Sequence, residues 1–154
     1  MEQEKIAALY VLIGMSGSGK STFAKEWAAK TCSQIVSTDE IRSRLFGDES
    51  IQTNSAKVFR EAYHMTNMHL RQRCNVVFDA TNTTKKGRDQ LLKSVKVPFY
   101  SVAILMPMDL AKATRQNSMR ERVVPGDVIQ RQYEQLLRDG DSIPGQFEEV
   151  VFTE

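Results

Sequence analysis

Three short stretches and one arginine cluster hold the residue types from which a reaction could be built. The longest is Gly14-Met15-Ser16-Gly17-Ser18-Gly19-Lys20-Ser21-Thr22, which fits the spacing G-x-x-x-x-G-K-[ST]. Successive glycines let the backbone turn tightly, so that several N–H groups face one concavity where phosphate oxygens can sit. A helix opening near Lys20 adds the positive end of its dipole. In that pattern Gly14, Ser16, Gly17, Ser18, Gly19, Lys20, Ser21 and Thr22 are the nucleotide-binding candidates, with Lys20 on the β- and γ-phosphates and the Ser21 hydroxyl on Mg²⁺. A glycine-rich turn that binds nothing is the bland alternative. Against it stands the apolar run Ala7-Ala8-Leu9-Tyr10-Val11-Leu12-Ile13 in front and a helix-forming segment behind, the context a phosphate loop requires.

Two acids follow short apolar runs: Asp39 after Gln34-Ile35-Val36-Ser37, and Asp79 after Asn75-Val76-Val77-Phe78. In an open parallel sheet, ligands lie outside the carboxyl ends of the strands, where both would stand. Phosphoryl transfer needs a phosphate cradle, a metal, a carboxylate to deprotonate the attacking hydroxyl, and cations on the moving group. Asp79 ends the more apolar strand and reads as the acid that holds the Mg²⁺ shell through Ser21 or water. Asp39 then reads as the general base, with Arg42 one helical turn away to hold a phosphate of the acceptor. The structural alternatives are a helix N-cap for Asp39 and a turn acid for Asp79. Lys20, Arg120 and Arg122 supply the cations, although arginines at a helix end also simply favour its dipole.

Positioning these groups requires short strands alternating with longer helical patterns, so the expected fold is α/β: a mostly parallel sheet of about five strands sandwiched by helices, with a helical lid. Residues 21–30 carry Phe23, Ala24, Trp27 and Ala28 at helical spacing, and Thr38 to Phe46 reads as a short helix closed by Gly47. Residues 55–73 show a stripe of Phe59, Tyr63, Thr66 and Leu70 flanked by Val58, Ala62 and Met65. His64 and His69 on it are five apart, a poor metal spacing. Residues 84–96 set Leu91, Leu92 and Val95 against Lys85, Lys86, Arg88, Lys93 and Lys96. Residues 99–106 form the fourth strand, which Pro107 stops. A helix over 109–121, a second capped by Asp127, turns at 139–141 and 144–145, and a last strand at 149–152 complete the pattern.

The 154 residues, 41% of them apolar, suffice for one domain with a core. A net charge of +2 neither demands nor excludes nucleic acid. No run is long enough for a membrane span or secretory signal, so a cytoplasmic protein without membrane contact is expected. Cys32 and Cys74 are read as reduced, partly buried thiols.

Taken in order, the phosphate loop, Ser37-Thr38-Asp39-x-x-Arg42, Asp79-Ala80-Thr81-Asn82, and Asn117-x-x-Arg120 followed by Val124-Pro125-x-x-Val128-Ile129 resemble the polynucleotide 5′-hydroxyl kinase family of phosphotransferases. The resemblance spans almost the whole chain. It implies transfer of the ATP γ-phosphate, with Mg²⁺, to the 5′-OH of DNA or RNA by one kinase domain covering residues 1–154, its lid near 115–127. Asp39 becomes the general base, Arg42 the grip on the acceptor phosphate, and Arg120 the lid arginine over the ATP phosphates. Asp79 and Asn82 organise the pocket floor, and Arg88 matches an arginine of the helix beyond it. Gln116 stands where many relatives have arginine, leaving Arg115 or Arg122 as the second lid arginine. No Asp-x-Asp-x-Thr phosphatase signature is present and there is no room for one, so kinase activity alone is expected. Two other readings share these motifs: a small-molecule kinase for a sugar, nucleoside or antibiotic, and a nucleotide-binding switch or ATPase. The acceptor pocket is expected from loops around 47–57 and 84–90.

Overall fold

The computed structural model of the chain describes residues 6–47, 55–120 and 123–153. Five strands, β1 (Ala8–Ile13), β2 (Ser33–Ser37), β3 (Asn75–Asp79), β4 (Tyr100–Leu105) and β5 (Glu149–Phe152), form one sheet in the order β2-β3-β1-β4-β5. Every pairing is parallel, with Val11 opposite both Phe78 and Ala103, and Ser37 opposite Asp79. Strands buried on both faces need continuous apolar runs, and Leu9, Val11, Leu12, Ile13, Val76, Val77 and Phe78 are all sealed from solvent.

Helices α1 (Lys20–Thr31), α2 (Thr38–Phe46), α3 (Ser55–Arg71), α4 (Lys85–Ser94), α5 (Leu110–Ser118), α6 (Gly126–Asp139) and α7 (Ile143–Gln146) cover the sheet, with a single 3₁₀ turn at Gly140–Ser142 before α7. The coverage is unequal. Ala24 and Ala28 of α1 join Leu12, Val77, Val102 and Ile104 in the smaller cluster, where Trp27 stacks on Phe23 and meets Tyr10 edge-on. The larger cluster unites the other face with Val58 and Ala62 of α3, Leu91 of α4, Ala113 of α5, Ile129 and Leu136 of α6, and Ile143 of α7.

Some expectations shift. The buried line of α3 is Val58, Ala62, Thr66 and Leu70, with Phe59 and Tyr63 beside it and partly exposed, because the sheet meets the smaller residues at closest approach. Asp127 does not cap α6: Pro125 takes the N-cap position, its carbonyl accepting from the N–H groups of Val128 and Ile129, and Asp127 lies in the first turn. The turns at 140–146 coil into helical turns, since Pro144 sits at a helix start, where a missing N–H costs nothing, and Ile143 is drawn into the core. Most of 84–90 is helix α4 rather than loop, capped by the Thr84 hydroxyl on the Gly87 N–H. Cys32 is exposed as the left-handed C-cap of α1, and Cys74 is partly buried; both are free thiols. Much of 47–57 lies outside the described residues. No helix among the described residues is long and apolar enough to cross a membrane.

Candidate active site

A cleft of about 680 Å³ runs across the carboxyl ends of β1, β2 and β3. Its first wall is the phosphate loop. Ile13 ends β1, and the ladder carries on into the loop on both sides, with Gly14 N–H on the Thr81 carbonyl at 3.0 Å and Met106 N–H on the Ile13 carbonyl at 2.9 Å. Gly17 and Gly19 take left-handed conformations, φ 83° and 91°, which turn the chain into α1 at Lys20. Ser16, Gly17, Gly19, Lys20, Ser21 and Thr22 line the cleft. Gly14 does not. A Cβ there would lie 2.7 Å from Cβ of Met106, so its glycine is required by packing against the end of β4, not by a ligand. Ser18 also stands behind the wall, its N–H taken by the Met15 carbonyl at 3.1 Å and its buried hydroxyl without a partner.

The loop is braced from outside by two helices. At Gly17 an added Cβ would fall 2.3 Å from the Ala113 carbonyl oxygen of α5. From α6, Gln132 accepts the Ser16 N–H at 2.8 Å and donates to the Ser16 hydroxyl at 3.2 Å, closing a two-bond clamp. Gln132 escaped the sequence reading. Its signal was a polar residue inside the buried line Ile129, Gln132, Leu136, where a side chain must find a partner.

At the floor, Asp79 accepts from the Ser21 hydroxyl at 3.1 Å. Burial raises its pKa above the ordinary carboxylate value, while the Lys20 charge and the Ser21 hydrogen bond pull the other way. Lys20 donates to the Met15 carbonyl at 2.8 Å. A buried carboxylate paired with a hydroxyl at the mouth of a phosphate loop is a hard-oxygen set suited to a small divalent cation that keeps most of its water. Ser21 and Asp79 are thus the pair that fits a metal, and the glycine turn fits a nucleotide's phosphates.

The third wall comes from β2 and α2. Ser37 is at once the last residue of β2 and the N-cap of α2, its hydroxyl accepting the Glu40 N–H at 3.2 Å. Asp39 is therefore free of the capping role. It lies in the cleft, its side chain 45% exposed, and pairs with Nη1 of Arg42 at 3.2 Å. The Arg42 side chain is 6% exposed, and its Nε is buried with no hydrogen-bond partner, so one donor of a guanidinium that borders the cleft is left unsatisfied.

The wall beyond α5 holds Gln116, Arg120, Val123, Val124 and Pro125, within the range expected for a lid. Asn117, 3% exposed, fastens it: its amide donates to the Val124 carbonyl at 2.7 Å and accepts the Val124 N–H at 3.0 Å. Of the residues 115–127, those at 115–118 belong to α5, those at 126–127 to α6, and 123–125 are not helical. Arg115 is exposed and does not border the cleft; Arg122 lies outside the described residues. Phe59, Val128 and Arg131 border the cleft as well, unforeseen as site residues.

Two substrate-binding expectations are corrected. Arg88 is 0% exposed and outside the cleft; it donates to Gln146 Oε1 (2.8 Å), the Asn82 carbonyl (2.7 Å), the Asp139 carbonyl (2.8 Å) and the Ser142 hydroxyl (3.0 Å). It ties the β3–α4 loop to the end of α6. Asn82 likewise turns away, its left-handed backbone (φ 51°) aiming the amide at the Leu12 carbonyl, 2.7 Å away.

The chain is 31% identical over 147 residues, 84% of its length, to a protein of Autographa californica nuclear polyhedrosis virus named "Putative bifunctional polynucleotide kinase/RNA ligase", and spans 21% of that protein. A chain of the Pnkp1/Rnl/Hen1 RNA repair complex superposes with a TM-score of 0.81 at 19% identity, covering 92% of this chain and 47% of that one. A gluconokinase from Sinorhizobium meliloti 1021 follows at 0.60 and 20%, covering 97% and 83%. At these identities the structural likeness shows the α/β kinase fold alone. The model of the AAA domain matches residues 9–139, which include every residue that borders the cleft, and the chain therefore belongs to the AAA domain family.

Proposed function

We propose that the chain is a kinase that moves the γ-phosphate of ATP to the 5′-hydroxyl of a DNA or RNA end, with residues 115–127 as the lid of a kinase domain spanning residues 1–154. The observation that carries this reading is the meeting of the phosphate loop, the Ser21–Asp79 pair and the Asp39–Arg42 pair in one cleft. ATP, bound with Mg²⁺, supplies the transferable phosphoryl group. Lys20 exchanges the Met15 carbonyl for phosphate oxygens, and Ser21 and Asp79 hold the metal. Asp39, half-exposed and oriented by Arg42, takes the proton of the acceptor hydroxyl, while Arg120 brings positive charge from the lid. The 31% likeness to the viral protein supports a nucleic-acid acceptor.

The deciding experiment offers radiolabelled ATP to 5′-OH DNA, 5′-OH RNA and a panel of small alcohols. Label on a nucleic-acid end is the expected result. Label on a sugar or nucleoside alone would identify a small-molecule kinase, and ATP hydrolysis indifferent to every acceptor a switch or ATPase. Asp39→Ala is expected to lower kcat by about 10²–10⁴-fold with ATP binding retained; unchanged labelling would remove Asp39 from the base role.

A further inference from the structure

Arg131 is the cation that the proposed mechanism leaves unused. It lies on α6, borders the cleft, and among the described residues makes no ion pair or hydrogen bond. Its place is fixed by its neighbours on the helix. Gln132 is clamped to Ser16 after β1, and Gln135 meets the Thr83 hydroxyl after β3. Val128, one turn before Arg131, also borders the cleft. Arg131 shares its stripe with Val128, which borders the cleft, and with Gln135, which meets the loop after β3. Asp39, Arg42 and Thr81 border the same cleft.

The two acids that border the cleft are already engaged: Asp39 by Arg42 and Asp79 by Ser21. A guanidinium that makes no ion pair among the described residues, with Asp127 and Glu134 one turn away on α6 and a site that receives an alcohol beside it, can take a negatively charged acceptor. Its planar fork suits phosphate oxygens. Arg42 is buried at the Asp39 end, whereas Arg131 is exposed at the outer edge. A single phosphate beside the reacting hydroxyl would be held by Arg42, leaving Arg131 for one farther along.

We propose that Arg131 binds a second phosphate of the acceptor, so that the preferred substrate is a strand with at least two phosphates on the 3′ side of its 5′-hydroxyl. The inference rests on the kinase reading above. It is tested by steady-state kinetics on two acceptors, a nucleoside 3′-phosphate and a 5′-OH dinucleotide carrying a 3′-phosphate. In the wild type, KM should be about tenfold lower for the two-phosphate acceptor, and the ratio should shrink with added salt. Arg131→Gln should bring it close to one, and Arg131→Lys should keep part of it. Equal KM values in the wild type, or an undiminished ratio in Arg131→Gln, overturn the proposal while the kinase reading stands. Failure of the wild type to label any 5′-OH nucleic acid overturns both. Should Arg131→Gln fold poorly, the wild-type ratio and its salt dependence, read with Arg131→Lys, still decide.

Discussion

Asp79 is held between opposing influences. Burial favours the protonated carboxyl; Lys20 and Ser21 favour the ionised one; burial wins and the pKa is raised. The folded protein then holds this proton more firmly than the unfolded chain, so stability falls as pH rises through the raised pKa. Without nucleotide, Asp79→Asn is therefore expected to melt higher than the wild type at pH 8, with the gap closing toward pH 4, in thermal scans across that range. The same variant should lose Mg²⁺-dependent transfer, because an amide is a poor substitute for a carboxylate ligand. Arg88 calls for a different test. Removing its four hydrogen bonds takes the guanidinium donor from the Asn82 carbonyl and leaves the Asp139 carbonyl with the Ser142 hydroxyl, so Arg88→Met should cost about 3–5 kcal/mol in denaturant titrations. The molecules that remain folded should keep the wild-type KM for the acceptor, which would change if Arg88 touched substrate. Spacing alone puts Arg88 among the charges of α4, since a helical wheel cannot say that the turns at 140–146 fold over that edge and surround the guanidinium. Asp39 and Asp79, in contrast, were legible because each ends an apolar run, and a parallel sheet leaves strand ends in one place.

The phosphate loop is shaped as much by the helices behind it as by what it binds. Gly17 and Gly19 separate these demands. Both have positive φ, but a Cβ at Gly19 meets nothing within 4 Å, whereas one at Gly17 strikes the backbone of α5. Gly19→Ala should therefore cost about 1–2 kcal/mol of backbone strain. Gly17→Ala should cost more and also weaken ATP binding, because α5 must move away from the loop. Paired melting and nucleotide-titration curves distinguish the two. Helix α2, from Thr38 to its left-handed cap at Gly47, was readable because its signals are local: a serine cap before it and a glycine after it. The α6 N-terminus was misread, since Pro125 and Asp127 both resemble starting residues and the chain's entry angle chose between them. The clamp of Gln132 on Ser16 joins residues 116 positions apart, so the local pattern of α6 shows that Gln132 needs a partner and not which one.

At the scale of the whole molecule, the cleft gathers residues from β3, α1, α2, α3, α5 and α6, so a bound ligand should stiffen most of the fold at once. Saturating ATP with Mg²⁺ at about 100 times its Kd adds about 2.7 kcal/mol to the folded state. For a chain of this size that corresponds to a rise in Tm of roughly 5–10 °C. Chelating the metal should reverse most of the rise, as a thermal-shift titration can show. The parallel sheet was legible from alternating short apolar runs and helical segments, but its strand order was not, because order depends on which crossover packs where. That order sets β2 and β3 on one side of β1 and β4 and β5 on the other. The two sides of the cleft are joined to it differently. Between Ser37 of β2 and Thr38 of α2 there is no intervening residue, so one insertion there would swing Asp39 and Arg42 by about 100° around the helix axis. Between Ser118 of α5 and Gly126 of α6, by contrast, lie residues that belong to neither helix. A change of length is therefore expected to be tolerated better between α5 and α6 than between β2 and α2, where it would turn Asp39 and Arg42 out of the cleft.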